Sequence, residues 1–111
     1  MALSDQNLRE KEFHNKLQSN SKGRFENIFY KAIKNAWDDF YNFLNLNAKN
    51  SEILDYGCGV GPVIEKVIKN KKKKIIGIDI SDVSISKAKE KFINSNIKVE
   101  LHVDNCENTT F

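Results

Sequence analysis

The sequence predicts an α/β fold in which a parallel sheet of three strands, joined by helices in the order β-α-β-α-β, follows a helical leading segment. Three observations predict it. Up to about Asn50 apolar residues recur at three- and four-residue steps, the period of one helix face. Beyond Asn50, short apolar runs alternate with helical stretches, the pattern of strands connected by crossover helices. The first such run, Glu52 to Tyr56, passes through Gly57, Gly59 and Gly61 straight into a stretch led by Pro62. That is the form of a turn leaving the C-terminal end of a parallel strand. The chain thus divides into a helical segment, 1–50, and a partial α/β domain, 51–111.

Each element has its own signal. Leu8, Phe13 and Leu17 mark a short first helix, and Ser19 to Gly23 is a polar break with Ser21 as a helix cap. Phe25, Ile28, Phe29, Ala32, Ile33, Ala36, Trp37, Phe40, Tyr41 and Leu44 form the apolar stripe of a long second helix. A stripe of this kind packs against a core. Glu52 to Tyr56 reads as a buried strand. Val60 to Asn70 reads as a helix with Pro62 in its first turn, where a missing N–H costs nothing, and with Val63, Ile64, Val67 and Ile68 inward. Lys74 to Ile80 is a second buried strand. Ser81 caps a helix carrying Val83, Ile85, Ala88 and Phe92. Lys98 to Val103 alternates, with Val99, Leu101 and Val103 on one face and Lys98, Glu100 and His102 on the other, as a half-exposed strand near a sheet edge does.

Composition narrows the class of protein. A chain of 111 residues supports one small domain. With 40% hydrophobic and 30% charged residues it reads as a soluble globular protein rather than a disordered one. The net charge of +3 is too slight to indicate nucleic acid, and the run Lys69 to Lys74, interrupted only by Asn70, reads as a solvated loop. No stretch approaches the roughly 18 apolar residues of a membrane span, and the first ten residues lack the apolar core of a signal peptide. The two cysteines, Cys58 and Cys106, provide neither a disulfide framework nor a four-ligand metal site. A reduced, cytoplasmic protein without a bound metal is the expectation.

The glycine loop is where chemistry enters. Ligands of parallel α/β sheets bind beyond the C-terminal ends of the strands. Glycines there permit positive φ and leave no Cβ between backbone and ligand, while the following helix start offers free N–H groups. A dinucleotide loop runs G-x-G-x-x-G. Here the spacing is G-x-G-x-G, and Pro62 stands where the third glycine of that motif belongs. Asp55, two residues before the loop, suits a ligand bearing positive charge and suits a pyrophosphate badly. NAD is accordingly the weaker reading.

Leu54-Asp55-Tyr56-Gly57-Cys58-Gly59-Val60-Gly61 resembles the first motif of the class I S-adenosylmethionine-dependent methyltransferases, an apolar pair followed by D-x-G-C-G-x-G. Ile76-Gly77-Ile78-Asp79-Ile80-Ser81 resembles their second motif, Ser84, Ile85 and Ala88 continue it, and Val99 to Phe111 resembles the third region, commonly ending G-D-A-E-x-L-P-F. The resemblance covers residues 51–111 and implies a Rossmann-like methyltransferase fold with S-adenosylmethionine as cofactor. It implies that the Gly57, Cys58, Gly59 and Gly61 backbone lies against the methionine part and that Asp55 faces its amino group or shapes the loop. It further implies that Asp79 accepts from the ribose hydroxyls and that Ile80 packs on adenine. Asn105 would accept from the adenine amino group, and the Cys106 N–H would reach the ring.

Two departures shape the expectation. Asn105 stands where the family has aspartate and Asp104 where it has glycine, so a one-residue shift would give Asp104 the adenine role; Thr109-Thr110 replaces leucine-proline. The family sheet, of about seven strands in the order 3-2-1-4-5-7-6, puts acceptor-binding residues at and beyond its fourth strand. A three-strand chain is therefore expected to be the N-terminal, cofactor-binding part of a longer methyltransferase, or the product of a truncated gene, with the first strand's outer edge open to self-association. The catalytic residues and the methyl acceptor are left open, and the long aromatic helix is a candidate lid, with Tyr30 or His14 reaching the site. The competing reading is a noncatalytic S-adenosylmethionine-binding or interaction module.

Overall fold

A computed structural model of the chain describes residues 2–19, 33–69 and 74–111. In chain order its elements are α1 (Asp5–Ser19), α2 (Lys34–Asn47), β1 (Glu52–Tyr56), α3 (Pro62–Val67), β2 (Lys74–Asp79), α4 (Asp82–Phe92) and β3 (Val99–Val103). The break with Ser21, Tyr30 and the first turns of the expected long helix lie outside the described residues, as does most of the lysine run.

The strands form one parallel sheet in the order β1-β2-β3. Ile53 pairs with Ile75 and Ile75 with Val99, while Asp55 pairs with Gly77 and Gly77 with Leu101. Because strand side chains alternate between faces, these rows share one face. Ile75 and Leu101 meet Ile64 and Val67 of α3 and Ile85 and Ala88 of α4 in one buried cluster, against which Ile53 and Val99 also pack. Gly77 is the narrow point: a Cβ there would stand 2.9 Å from both Cys58 Sγ and Leu101 Cδ2. A bare backbone lets α3 and the glycine loop seat on the strand.

Local signals set the element ends. Asn50 turns the chain into β1 with φ of 60°, a left-handed conformation that asparagine tolerates. Pro62 opens α3, and the Ser81 hydroxyl caps α4 by accepting from the Ser84 N–H at 3.1 Å. On the other face of the sheet Leu54 and Tyr56 are 39% and 49% exposed. Among the described strands none pairs with the outer edge of β1.

α2 packs on α3, touches the core through Leu44, and carries the Trp37, Phe40 and Tyr41 rings as a cluster of its own. α1 packs on α4; its apolar residues Leu8 and Phe13 are exposed, and the one buried residue is Asn7.

Candidate functional site

The site is built where β1 and β2 end side by side. The Ile78 carbonyl accepts from both the Gly57 and Cys58 N–H groups, at 2.8 and 2.9 Å, which folds the loop back over β2. Asp79, the last residue of β2, then fixes both flanks: Oδ2 accepts from the Gly59 N–H and Oδ1 from the Ser81 N–H, each at 2.8 Å. Its main-chain carbonyl holds the Asp104 N–H beyond β3 at 3.0 Å. One carboxylate and one peptide group thus register three strand ends.

In front of this floor lies a cleft of about 220 Å³. Six of the residues expected from the sequence border it: Gly57, Gly59, Asp79, Ile80, Asn105 and Cys106. Gly57 and Gly59 have φ of 72° and 56°, and a Cβ on either would meet nothing within 4 Å. Side chains there would occupy the cleft itself, so the bare backbone is a cradle.

Three expected residues stand elsewhere. Gly61 is buried, and a Cβ on it would come 2.5 Å from Phe92 Cε2. With φ of 86° it closes the loop against α4. Cys58 is 3% exposed and belongs to the core; burial, then the nearby Asp55 and Asp79 charges, push its thiol up to about 12. Asp55 lies on the helix-covered side of the sheet and is not among the residues bordering the cleft. Its Oδ2 is buried without a hydrogen-bond partner, and burial together with the Asp79 charge raises its pKa to about 6.

The turn after β3 separates the two candidate residues at its start. Asp104 is absorbed by the turn: Oδ1 accepts from the Asn105 N–H at 2.8 Å and Oδ2 from the Thr109 hydroxyl at 2.7 Å. The Thr109 bond, with the Asn105 N–H, holds its carboxyl below the usual carboxylate range. Asn105, 6% exposed, is the one on the cleft. Thr109, which departs from the family pattern, is what secures this turn.

The roof comes from α1, through Asn7, Glu10, His14 and Gln18. Of these the sequence singled out only His14, and as an adjunct of the aromatic helix; α2 does not border the cleft. The missed signal was a polar stripe at steps of three, four and four residues on a helix whose apolar residues point elsewhere. Among the described residues, those bordering the cleft include the carboxylates Glu10, Asp79 and Glu107 and no lysine or arginine, in a chain of net charge +3. The cleft therefore favours a positively charged guest.

Comparison with known proteins agrees with this geometry. A family model described as a methyltransferase domain matches residues 53–111, and the chain belongs to that family. Among solved structures, the phosphoethanolamine N-methyltransferase 1 of Haemonchus contortus, in complex with phosphoethanolamine and S-adenosylhomocysteine, aligns over 100% of this chain and 24% of its own with TM-score 0.73 and 15% identity. An S-adenosylmethionine-dependent methyltransferase from Clostridium acetobutylicum ATCC 824 aligns over 83% of this chain and 40% of its own, with TM-score 0.60 and 26% identity. The DhpI–SAH complex aligns over 91% and 47%, with TM-score 0.65 and 14% identity. The first and third show the fold alone. The chain spans about a quarter to a half of the length of these structures. No curated protein sequence matches it. What the chain carries of the class I S-adenosylmethionine-dependent methyltransferase fold is the helix-covered three-strand unit. Among the described residues, no helix is long and apolar enough to cross a membrane.

Proposed function

We propose that residues 51–111 are the S-adenosylmethionine-binding unit of a methyltransferase, with 1–50 as a helical segment that closes over it. The observation that carries this reading is the Gly57–Gly59 backbone, at positive φ, open to the cleft and pinned to the Asp79 carboxylate. When bound, the cofactor supplies an electrophilic methyl on sulfur, which passes to a nucleophile as the thioether departs.

The residues of this chain bind and orient. Each Asp79 oxygen uses one acceptor site on a backbone N–H and keeps another for a ribose hydroxyl. Ile80 offers an apolar surface for adenine, with the Asn105–Cys106 backbone along its edge. The Asp55 carboxyl lies behind the loop with its Oδ2 unpartnered, and there it shapes the loop and adds negative charge that favours a cationic amino group in the cleft. Glu10, Asp79 and Glu107 add a negative field that favours the sulfonium over its neutral thioether product.

Titration calorimetry tests the reading. The chain is expected to bind S-adenosylmethionine in the micromolar range. Asp79→Ala should weaken binding more than about tenfold, because charged hydrogen bonds are each worth roughly 1.5–3 kcal/mol. Heat with NAD and none with S-adenosylmethionine or S-adenosylhomocysteine would sink it. A second reading, a noncatalytic interaction module, draws on the unpaired β1 edge and the exposed Leu54 and Tyr56. It calls for a concentration-dependent dimer by sedimentation, with no cofactor binding.

A further inference from the structure

We propose that Asn105 is a positioning residue whose side-chain amide holds α1 over the cleft by way of Asn7, and that the position requires an amide because Asn7 Oδ1 accepts from its N–H. The inference starts from the way α1 is attached. Of its apolar residues Leu8 and Phe13 are 45% and 62% exposed and Leu17 is half-buried, whereas the residues turned to the cleft are Asn7, Glu10, His14 and Gln18. A helix in this orientation gains little from apolar burial, so specific polar contacts must seat it.

Those contacts form two clasps. Near the C-terminal end of α1, Asn15 Nδ2 donates to Asp82 Oδ1 at 2.9 Å, the Ser81 hydroxyl donates to Asn15 Oδ1, and Lys11 pairs with Asp82 at 3.4 Å. Near its N-terminal end the clasp is Asn7, 4% exposed. Asn105 Nδ2 donates to Asn7 Oδ1 at 3.2 Å, and Asn7 Nδ2 donates to Glu107 Oε2 at 3.0 Å. The donors therefore run in one direction, from Asn105 to Asn7 to Glu107. Asn105 Oδ1 is occupied as well, accepting from the Glu107 N–H at 3.0 Å.

An aspartate at 105, the residue found there in the resembling family, breaks this order. Ionised, it has no proton for Asn7 Oδ1. If the Asn7 amide turns over to donate to it, Asn7 Oδ1 meets the Glu107 carboxylate instead. Turned over, its Nδ2 also meets the Ser4 N–H, which donates to Asn7 Oδ1 at 3.2 Å, so either arrangement sets like groups against each other at a buried amide, which is costly. The departure from the family at 105 thus matches an asparagine on a helix 98 residues away. The last step, that seating α1 tightens ligand binding, rests on the cofactor reading of the cleft; the clasp itself does not.

Hydrogen exchange by mass spectrometry, on the ligand-free 111-residue chain, decides the clasp. Asn105→Asp is expected to speed exchange across α1 about tenfold while the β2 amides keep their wild-type protection. Glu107→Gln alone should change little, because a glutamine carbonyl accepts from Asn7 as the carboxylate does. The double variant Asn105→Asp with Glu107→Gln should leave α1 as open as Asn105→Asp alone, because the Ser4 N–H, which donates to Asn7 Oδ1, keeps the Asn7 amide from turning over. Asn7→Ala, outside the sheet, should open α1 as Asn105→Asp does and guards against a general loss of folding in the latter. Unchanged α1 exchange in Asn7→Ala and Asn105→Asp, equal acceleration of α1 and β2 in both, or recovery of α1 in the double variant would overturn the proposal. S-adenosylmethionine affinity should follow the same order, falling about tenfold in Asn105→Asp and in the double variant. Absence of binding by the wild-type chain would overturn the cofactor reading and leave the exchange result to decide the clasp.

Discussion

Ile64 and Ile75 are fully buried between the sheet and α3, whereas Phe13 of α1 is 62% exposed and that helix hides only an asparagine. The sheet unit is held by apolar surface removed from water, a non-directional force that tolerates small shifts. α1 is held by hydrogen bonds and an ion pair through Asn7, Lys11 and Asn15, which are directional and individually modest. The difference teaches what each part depends on: the floor of the cleft is packed apolar surface, and its roof rests on contacts that water can replace.

Three changes break or sharpen the contrast, in decreasing size. Ile64→Ala strikes the floor. It removes a fully buried side chain shared by α3, Gly77 and Leu101, and should lower unfolding free energy by about 2–5 kcal/mol in urea titrations. That is a large share of the roughly 5–15 kcal/mol available to a small domain.

Asp55→Asn probes the junction of floor and loop through pH. The Asp55 carboxyl has its pKa raised from 3.8 to about 6, so the folded chain holds its proton more firmly than the unfolded one. The stability this confers is complete below pH 4 and is lost as pH rises from about 4 to about 6. The substituted amide cannot titrate, so at pH 8 the ligand-free variant should be more stable than wild type by about 1–2 kcal/mol, a full two-unit shift being discounted for solvent. At pH 4 the two should be nearly equal. Chemical denaturation at both pH values checks this. A wild type whose stability rises between pH 4 and pH 6, with no change in Asp55→Asn, would contradict the burial of that carboxyl.

Phe13→Ala belongs to the roof and should be nearly silent. The ring packs edge-on against His14 and is otherwise open to solvent, so the unfolding free energy should move by less than about 0.5 kcal/mol. A loss of 2 kcal/mol or more would mean that α1 docks by apolar burial after all.

Much of the floor was legible in the residues. The alternation through Val99, Leu101 and Val103 located β3, Pro62 and Ser81 located two helix starts, and the three motifs located the cleft-lining Gly57, Gly59, Asp79 and Asn105. These are local signals, written within one or two turns of the residue they specify. Three evenly spaced glycines looked alike, yet Gly57 and Gly59 face the cleft while Gly61 makes room for Phe92, 31 positions later. The roof was legible only as a helix: Leu8, Phe13 and Leu17 marked α1, and nothing in them told that its polar stripe turns to the cleft.

By itself the sequence determined the period of each element, the strand-loop-helix turn, and the carboxylate at the end of β2, because each depends on neighbours along the chain. Tertiary structure alone decided which face of α1 looks inward. It also decided that Asn7, Asn105 and Glu107 share one run of hydrogen bonds. Those outcomes depend on the direction in which donors and acceptors meet across about a hundred residues, and no local periodicity records that direction.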